Sequence, residues 1–202
     1  MALLPHYYDD LMEAGCDEAG RGCLAGSVFA AAVILPRYYD NAALNDSKQL
    51  SAKRRLALRD TIMADAVAWA VGVAEPEEID RLNILRASIL AMHRALDALT
   101  VRPQAVAVDG NRFAPYRDLP YVTVVRGDAT YQTIAAASIL AKTFRDEYML
   151  RLDKDYPAYE WANNKGYPTR AHRDAILAHG ITPYHRRSFA LHADAALPLS
   201  FD

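Results

Sequence analysis

The chain has 202 residues, 52% of them hydrophobic, which suits one domain with a sizeable core and excludes a disordered polypeptide. Two cysteines are too few for a disulfide framework or a zinc cluster, and no uncharged apolar run is long enough to span a membrane. The formal net charge of -2 argues against a protein that binds polyanions with its whole surface. The first residues lack the features of a signal peptide, so we expect a cytoplasmic protein without membrane contacts. We also expect the protein to be a monomer.

Apolar runs bounded by turn residues predict five strands, at 11–17, 27–35, 67–74, 105–109 and 121–125. Helical periodicity and capping residues predict helices at 51–65, from Pro76 onward, and at 84–99, 130–152 and 169–179. Most strands lie near the start, helices and strands then alternate, and the end is helical. This order predicts an α/β fold around a sheet of mixed strand direction.

Four acidic residues stand where apolar, strand-like runs meet glycine. Asp17 and Glu18 follow the first run, Asp109 follows the fourth, and Asp128 follows the fifth. A carboxylate at the end of a buried strand is costly unless it is paired or bound to a cation. Carboxylate oxygens are the ligands of Mg²⁺ and Mn²⁺, and two such ions can clamp the reacting oxygens of a phosphodiester. These residues therefore predict a metal site that acts on phosphodiesters.

Each of these acids also has an ordinary structural interpretation. Asp17 and Glu18 could form a solvated strand end, and because adjacent strand residues point to opposite faces, one pocket can use both only at the turn. Asp109 could cap its own loop, and Asp128 could cap the helix that follows. Asp146, within that helix, is expected to form an ion pair rather than to bind a metal.

A glycine-rich turn follows the first acidic pair. Gly20, Gly22 and Gly26 permit unusual backbone angles and a close approach of a ligand to exposed amides. We expect the turn to hold a phosphate or a ribose through its backbone, with Arg21 directed at a phosphate. The spacing does not match a P-loop or a dinucleotide-binding motif.

Further substrate-binding candidates lie outside this turn. Tyr167, in loop 164–169, could stack on a sugar or base while Lys165 and Arg170 hold the backbone; alternatively, it covers an edge of the core. Lys48 could reach a phosphate, although a solvent-exposed lysine is the simpler interpretation.

The C-terminal part of the chain is basic. Residues 151–192 contain seven Lys or Arg and four acidic residues, so the rest of the chain is acidic. This distribution fits a metal pocket beside a phosphate-binding face, and the alternative is chance clustering on an ordinary surface. Four basic residues of this part are expected at the surface: His172, His185, Arg186 and Arg187.

Seven short segments can be read together. They are Asp-Glu-Ala-Gly-Arg-Gly-Cys-Leu-Ala-Gly (17–26), Asp-Ser-Lys-Gln-Leu (46–50), Val-Asp-Gly-Asn (108–111), Gly-Asp (127–128), Ala-Ala-Ala-Ser-Ile-Leu-Ala-Lys (135–142) with Arg145 and Asp146, Asn-Lys-Gly-Tyr (164–167), and His-Arg-Arg-Ser-Phe (185–189). In this order, and over nearly the whole chain, they resemble the ribonuclease HII (type 2 ribonuclease H) family.

The resemblance implies a ribonuclease H-like fold, with a mixed five-stranded sheet flanked by helices. It implies a catalytic domain over residues 1–155 and a helical extension over 156–202 that packs on the same domain. It also implies an enzyme that hydrolyses the phosphodiester on the 5′ side of ribonucleotides. The substrates would be RNA–DNA hybrids and duplex DNA with single embedded ribonucleotides, and the products would carry 3′-hydroxyl and 5′-phosphate ends.

The resemblance also assigns roles to residues. Asp17, Glu18, Asp109 and Asp128 would hold two Mg²⁺ or Mn²⁺ ions. The segment Gly20-Arg21-Gly22 would sense the ribose 2′-hydroxyl, which is the group that distinguishes RNA from DNA. Tyr167 would stack at the RNA–DNA junction.

The chain departs from the usual pattern of that family at four positions. Cys23 and Ser27 stand where proline is usual, Pro168 replaces a common glycine, and Asn164 replaces a common histidine. These changes concern the rigidity of loops and the preference for a junction. Two other hypotheses stay open: a nuclease of similar fold that cuts DNA alone, such as a transposase-like or junction-resolving enzyme, and a non-catalytic nucleic-acid-binding module.

Overall fold

A computed structural model of the chain describes residues 3–44 and 50–191. In this described part of the chain, five strands form one sheet in the order β3-β2-β1-β4-β5. They are β1 (Glu13–Ala19), β2 (Val28–Ile34), β3 (Ala68–Ala74), β4 (Ala105–Asp109) and β5 (Tyr121–Val124). β1, β2 and β3 pair antiparallel, whereas β4 pairs parallel with β1 and β5 pairs parallel with β4. The predicted mixed sheet is therefore confirmed.

Within residues 3–44 and 50–191, six helices surround this sheet. They are α1 (Ala52–Asp65), α2 (Pro76–Leu82), α3 (Ile84–Asp97), α4 (Gln132–Asp155), α5 (Trp161–Asn164) and α6 (Arg170–His179), with short 3₁₀ turns at Gly127–Ala129 and Pro157–Tyr159. Among the helices of the described residues, none has the length and apolarity needed to cross a membrane.

The sheet separates two apolar layers. One face packs on α3 through residues such as Ala91 and Met92, and the other packs on α4 and α1 through residues such as Leu140 and Ile62. The small side chains of α4 allow a close approach to β1. A Cβ atom at Gly15 would lie 2.2 Å from the backbone of Thr133, so only glycine permits this approach.

A third apolar cluster joins the C-terminal segment to the end of α4. Met149 and Leu152 of α4 pack there with Trp161 of α5 and Ile176 of α6. The same cluster contains Leu24 of the glycine-rich segment. The C-terminal segment thus lies against the loop that follows β1. A domain boundary after residue 155 stays a prediction.

The predicted boundaries differ from the structure in one place that matters for the site. β1 was expected to end at Asp17, but it continues through Ala19, because Ala19 still pairs with Phe29 of β2. Asp17 and Glu18 therefore lie within the strand and point to opposite faces of the sheet.

Candidate active site at the carboxyl ends of β1 and β4

The register of the two central parallel strands brings two carboxylates side by side. Cys16 pairs with Val108, so the next residues along the strands are Asp17 and Asp109. Strand alternation places both on the face that carries α4, with Gly15. Since parallel strands end at the same edge, these carboxylates meet at the edge where α/β proteins usually bind ligands.

Asp17 is buried and is electrostatically destabilised. Only 4% of it is exposed, and its Oδ1 accepts a hydrogen bond of 2.7 Å from the backbone N–H of Glu18. Burial raises the pKa of Asp17 well above its ordinary value, and the neighbouring carboxylates of Glu18 and Asp109 raise this pKa further. A hydrogen bond with Ser138 of α4 opposes the shift. A cation would relieve this repulsion.

Asp109 joins the end of β4 to the segment that carries the fourth acid. Its Oδ1 accepts a hydrogen bond of 2.8 Å from the N–H of Gly127, at the start of the 3₁₀ turn. It therefore caps a distant segment, not its own loop. Asp128 is 4% exposed within this turn, and Tyr131, not Asp128, occupies the N-cap of α4. The interpretation of Asp128 as a helix cap is therefore wrong.

Glu18 lies beside Arg21 of the glycine-rich turn. Arg21 Nη1 lies 3.1 Å from Glu18 Oε1, and the Glu18 side chain is 11% exposed. Arg21 is thus paired with a carboxylate in this structure. Its expected contact with a phosphate stays a prediction, because the pair can open when a phosphate competes for the guanidinium.

The donor set at this edge fits hard divalent cations, since it consists of carboxylate oxygens. Within residues 3–44 and 50–191, no group of three or more His, Cys, Asp or Glu side chains is arranged to hold a metal ion. Mg²⁺ commonly takes one or two carboxylates and completes its coordination with water and substrate phosphate oxygens. The acids therefore fit a site that is completed by the substrate, not a preformed cage.

The glycine-rich turn is held from beneath by two buried arginines. Arg186 donates to the carbonyls of Gly20, Arg21 and Gly26, and Arg145 donates to those of Ala25 and Ser27. The expectation that Arg186 lies at the surface is wrong. It is fully buried, because it satisfies the carbonyls of Arg21 and Gly26 and shares that of Gly20 with the N–H of Cys23.

Tyr167 and Lys165 lie next to this turn. The N–H of Leu24 donates to the carbonyl of Gly166 over 2.8 Å, which joins the two loops. The Tyr167 side chain is 40% exposed, and Lys142 Nζ lies 5.9 Å from its ring centroid. Lys165 Nζ donates to the carbonyl of Ala162, so its ammonium group faces its own loop.

The structure describes all but one of the remaining candidate residues that the sequence analysis singled out. Lys48 lies outside the described residues. Asp146 forms ion pairs with Lys142 at 2.7 Å and Arg55 at 4.0 Å, as expected. Arg170 is exposed beside Asp174. The two cysteines are free.

Two basic residues of the C-terminal part form a buried network. His172 is fully buried and His185 is 1% exposed, so the expectation that they lie at the surface is wrong. Trp161 Nε1 and His185 Nε2 both donate to His172 Nε2, over 3.0 and 3.2 Å. His172 Nδ1 in turn donates to the carbonyl of Tyr167 over 3.0 Å. Arg187 is exposed, as expected.

Cys23 and Ser27, which depart from the usual pattern of the resembled family, form side-chain contacts in the glycine-rich segment. The Sγ of Cys23 donates to the carbonyl of Lys165 over 3.6 Å. Ser27 Oγ donates to Glu75 and lies 3.1 Å from the hydroxyl of Tyr148. These contacts restrain the turn where proline would otherwise stiffen it.

Two residues of the site had a sequence signal that the predictions did not use. Ser138, beside Asp17, and Arg145, beneath the turn, lie seven residues apart in α4. Seven residues are nearly two helical turns, so both lie on the buried face with Ile134 and Ala141. Polar residues in phase with an apolar helix face indicate buried polar contacts.

Known proteins share this architecture. The ribonuclease H2 of Pyrococcus horikoshii OT3 superposes with a TM-score of 0.75 at 25% identity, over 89% of this chain and 94% of that chain. Bst-RNase HIII in complex with Mn²⁺ superposes with a TM-score of 0.64 over 89% of this chain and 67% of that chain. Its identity of 20% shows the fold alone. The chain therefore has a ribonuclease H-like fold.

Sequence comparison narrows the class to one family. The family model for ribonuclease HII matches residues 14–192. The ribonuclease HII of Bacteroides thetaiotaomicron is 64% identical over 199 residues, which cover 98% of this chain and all of that protein. The chain belongs to the ribonuclease HII family, whose members are endoribonucleases that act on RNA–DNA hybrids.

Proposed function

We propose that this protein hydrolyses the phosphodiester on the 5′ side of ribonucleotides, in RNA–DNA hybrids and at single ribonucleotides embedded in duplex DNA. The products would carry 3′-hydroxyl and 5′-phosphate ends. The observation that carries this proposal is the β1–β4 register, which sets Asp17 beside Asp109 directly before the glycine-rich turn. Asp17 and the turn that would contact the ribose thus lie on one continuous segment, and Asp109 lies beside it on β4.

The carboxylates would hold the catalytic cations. We propose that Asp17 and Asp109 are the central ligands of two Mg²⁺ or Mn²⁺ ions, with Glu18 and Asp128 completing the coordination. Glu18 points to the opposite face of β1 and would first release Arg21 and turn toward Asp17. When bound, such cations supply Lewis-acid stabilisation of the charge that develops on the reacting phosphate. The buried position of Asp17 strengthens this effect, because little water screens its charge from a cation.

The other residues would position the nucleic acid. We propose that Gly20, Arg21 and Gly22 contact the ribose and its 2′-hydroxyl, a donor and acceptor that DNA lacks. Tyr167 exposes enough of its ring to stack on a sugar or base. Lys48 and Lys165 would bind the backbone; Lys165 would first release the carbonyl of Ala162.

The direct test compares cleavage of matched duplexes that carry zero, one or four ribonucleotides, with Mg²⁺, with Mn²⁺ and with a chelator. We expect cleavage of the second and third duplexes only, a need for the metal, and products with 5′-phosphate ends. Equal cleavage of the all-DNA duplex would instead favour a DNA nuclease of the same fold. Binding without turnover in both metals would favour a non-catalytic module.

A further inference from the structure

We propose that Arg145 and Arg186 are positioning residues for the ribose-reading turn. Their guanidinium groups hold five backbone carbonyls beneath the turn, which leaves the amides of Arg21 and Gly22 to the substrate; these carbonyls belong to Gly20, Arg21, Ala25, Gly26 and Ser27. This inference rests on the proposed function, because it explains what holds the backbone of the turn that would contact the ribose.

Arg186 binds both ends of the turn at once. Its Nη2 donates to the carbonyl of Gly20 over 2.7 Å, and its Nη1 donates to that of Arg21 over 2.9 Å. Its Nε and Nη2 also donate to the carbonyl of Gly26, over 3.0 and 2.8 Å. One rigid fork therefore fixes the separation between the start and the end of the turn.

Arg145 reaches the same turn from α4. It donates to the carbonyls of Ala25 and Ser27, over 3.1 Å each, and to that of Lys165 over 2.9 Å. A Cβ atom at Gly20 would lie 1.9 Å from Arg145 Nε, so the guanidinium packs directly on the turn. Arg145 thereby links the turn to the loop that carries Tyr167.

The charge of these two side chains is costly to bury. Both are fully buried, and within the described part of the chain neither forms an ion pair with a carboxylate. Burial lowers the pKa of Arg186 to about 10, so it stays charged at neutral pH. Two positive charges thus lie directly beneath the exposed part of the turn, where they favour an approaching phosphate.

The upper side of the turn is open to a ligand. Arg21 and Gly22 are exposed, and among residues 3–44 and 50–191 their backbone N–H groups have no protein acceptor. A Cβ atom at Gly22 would meet nothing within 4 Å, and Gly22 does not lie in the left-handed region. Packing therefore gives no reason for glycine at this position, whereas the approach of a substrate backbone does.

The test replaces each arginine by lysine, which retains the charge but not the rigid fork. Arg187→Lys is the matched control, because Arg187 is the exposed neighbour of Arg186. For each variant, kcat and KM are measured on a duplex with one ribonucleotide, Kd is measured on the matched all-DNA duplex, and Tm is measured by circular dichroism.

We expect Arg186→Lys to lower kcat by about 100-fold, the scale of a misplaced reacting group. We expect changes of at most about threefold in KM and in Kd for the all-DNA duplex, because backbone contacts elsewhere persist. Arg145→Lys should follow the same pattern, and it carries the test if Arg186→Lys does not fold. Arg187→Lys should stay within about twofold of wild type in all four quantities.

A double variant tests whether the two arginines affect kcat through the turn. If the arginines act through the turn, Gly22→Ala should lower kcat much less in an Arg186→Lys background than in wild type. The inference is overturned if folded lysine variants match Arg187→Lys in kcat, or if kcat falls together with the all-DNA affinity. Failure of the proposed function gives a different result, since the wild type would then show no preference for the ribonucleotide.

Discussion

The acidic edge of the sheet and the basic layer beneath the turn both bury charge, but they do so in opposite ways. Asp17 is buried near the carboxylates of Glu18 and Asp109. Burial and these two charges raise its pKa and disfavour its charged form. Arg186 is also disfavoured as a charge, because burial and the nearby Arg145 lower its pKa, but its guanidinium donates to three backbone carbonyls. We therefore expect a bound cation to stabilise the acidic edge, whereas the protein's own carbonyls satisfy the basic layer.

This comparison leads to a first prediction, for Asp17→Asn. We expect cleavage of a duplex with one ribonucleotide to fall by about 10³-fold, because the lost carboxylate is worth several kcal/mol of transition-state stabilisation. In chelator, Tm should stay equal or rise, because the substitution removes a buried charge from a repulsive group. Activity and Tm are measured in parallel, with Asp10→Asn as control, since Asp10 is exposed beside Arg37. Near-normal cleavage would contradict the assignment.

The second prediction contrasts two glycines of the same turn. Gly20→Ala should destabilise the fold, because Gly20 has a φ of +96° and a Cβ atom would collide with Arg145. Gly22→Ala should leave Tm unchanged but lower kcat/KM by between about 10- and 100-fold, since the methyl group occupies space for the substrate. Thermal unfolding and steady-state kinetics separate the two cases. Unchanged kinetics for Gly22→Ala would show that no ligand approaches this position.

The third prediction concerns Tyr167. Tyr167→Ala should lower cleavage at an RNA–DNA junction by about tenfold, which is the worth of one stacked base. Tyr167→Phe should retain most of the activity, because the ring persists. The exposed Tyr38 supplies a control substitution to alanine. If the Tm of Tyr167→Ala falls as strongly as its activity, the ring is a packing residue instead.

The smallest expected effect is a pH dependence of stability from the buried histidines. Burial, together with the neighbouring His172, lowers the pKa of His185 to about 4, and burial also lowers the pKa of His172. The unfolded chain then binds more protons between the ordinary histidine pKa of about 6.5 and about pH 4. The free energy of unfolding should therefore fall as the pH falls through this window, by on the order of 1 kcal/mol for each pH unit.

Urea unfolding at pH 7 and pH 5 measures this dependence. Protonation of His172 would place a hydrogen on Nε2, which could then no longer accept the hydrogen bond from Trp161. The C-terminal cluster should therefore unfold first. A His185→Gln variant should show a weaker pH dependence than wild type. The same slope in both proteins would assign the effect to other groups.

The acidic edge was predictable from the sequence because its signal is local. Asp109 ends an apolar run and precedes a glycine, and that pattern alone indicates a strand end with a buried carboxylate. The convergence of Asp17 and Asp109 needed the pairing of β1 with β4, which local pattern does not specify. The resemblance to ribonuclease HII predicted that convergence, but not the strand pairing that produces it.

The basic layer was not predictable in the same way. Arg186 lies in a segment of polar and basic residues with no helix or strand period, so nothing local indicates that it is buried. Its burial depends on carbonyls about 160 residues earlier in the chain. Arg145 is different, because it lies on the apolar face of α4. Its helical spacing from the apolar residues of that face could have predicted its burial.

The central claim is that Asp17 and Asp109 share one cation site, and Mn²⁺ binding tests it most directly. Electron paramagnetic resonance titrations would compare wild type, Asp17→Asn, Asp109→Asn and the double variant. We expect either single substitution to weaken Mn²⁺ binding by about tenfold or more, and the second to add little, because both ligands act on the same ion. Wild-type affinity in both single variants would contradict the account.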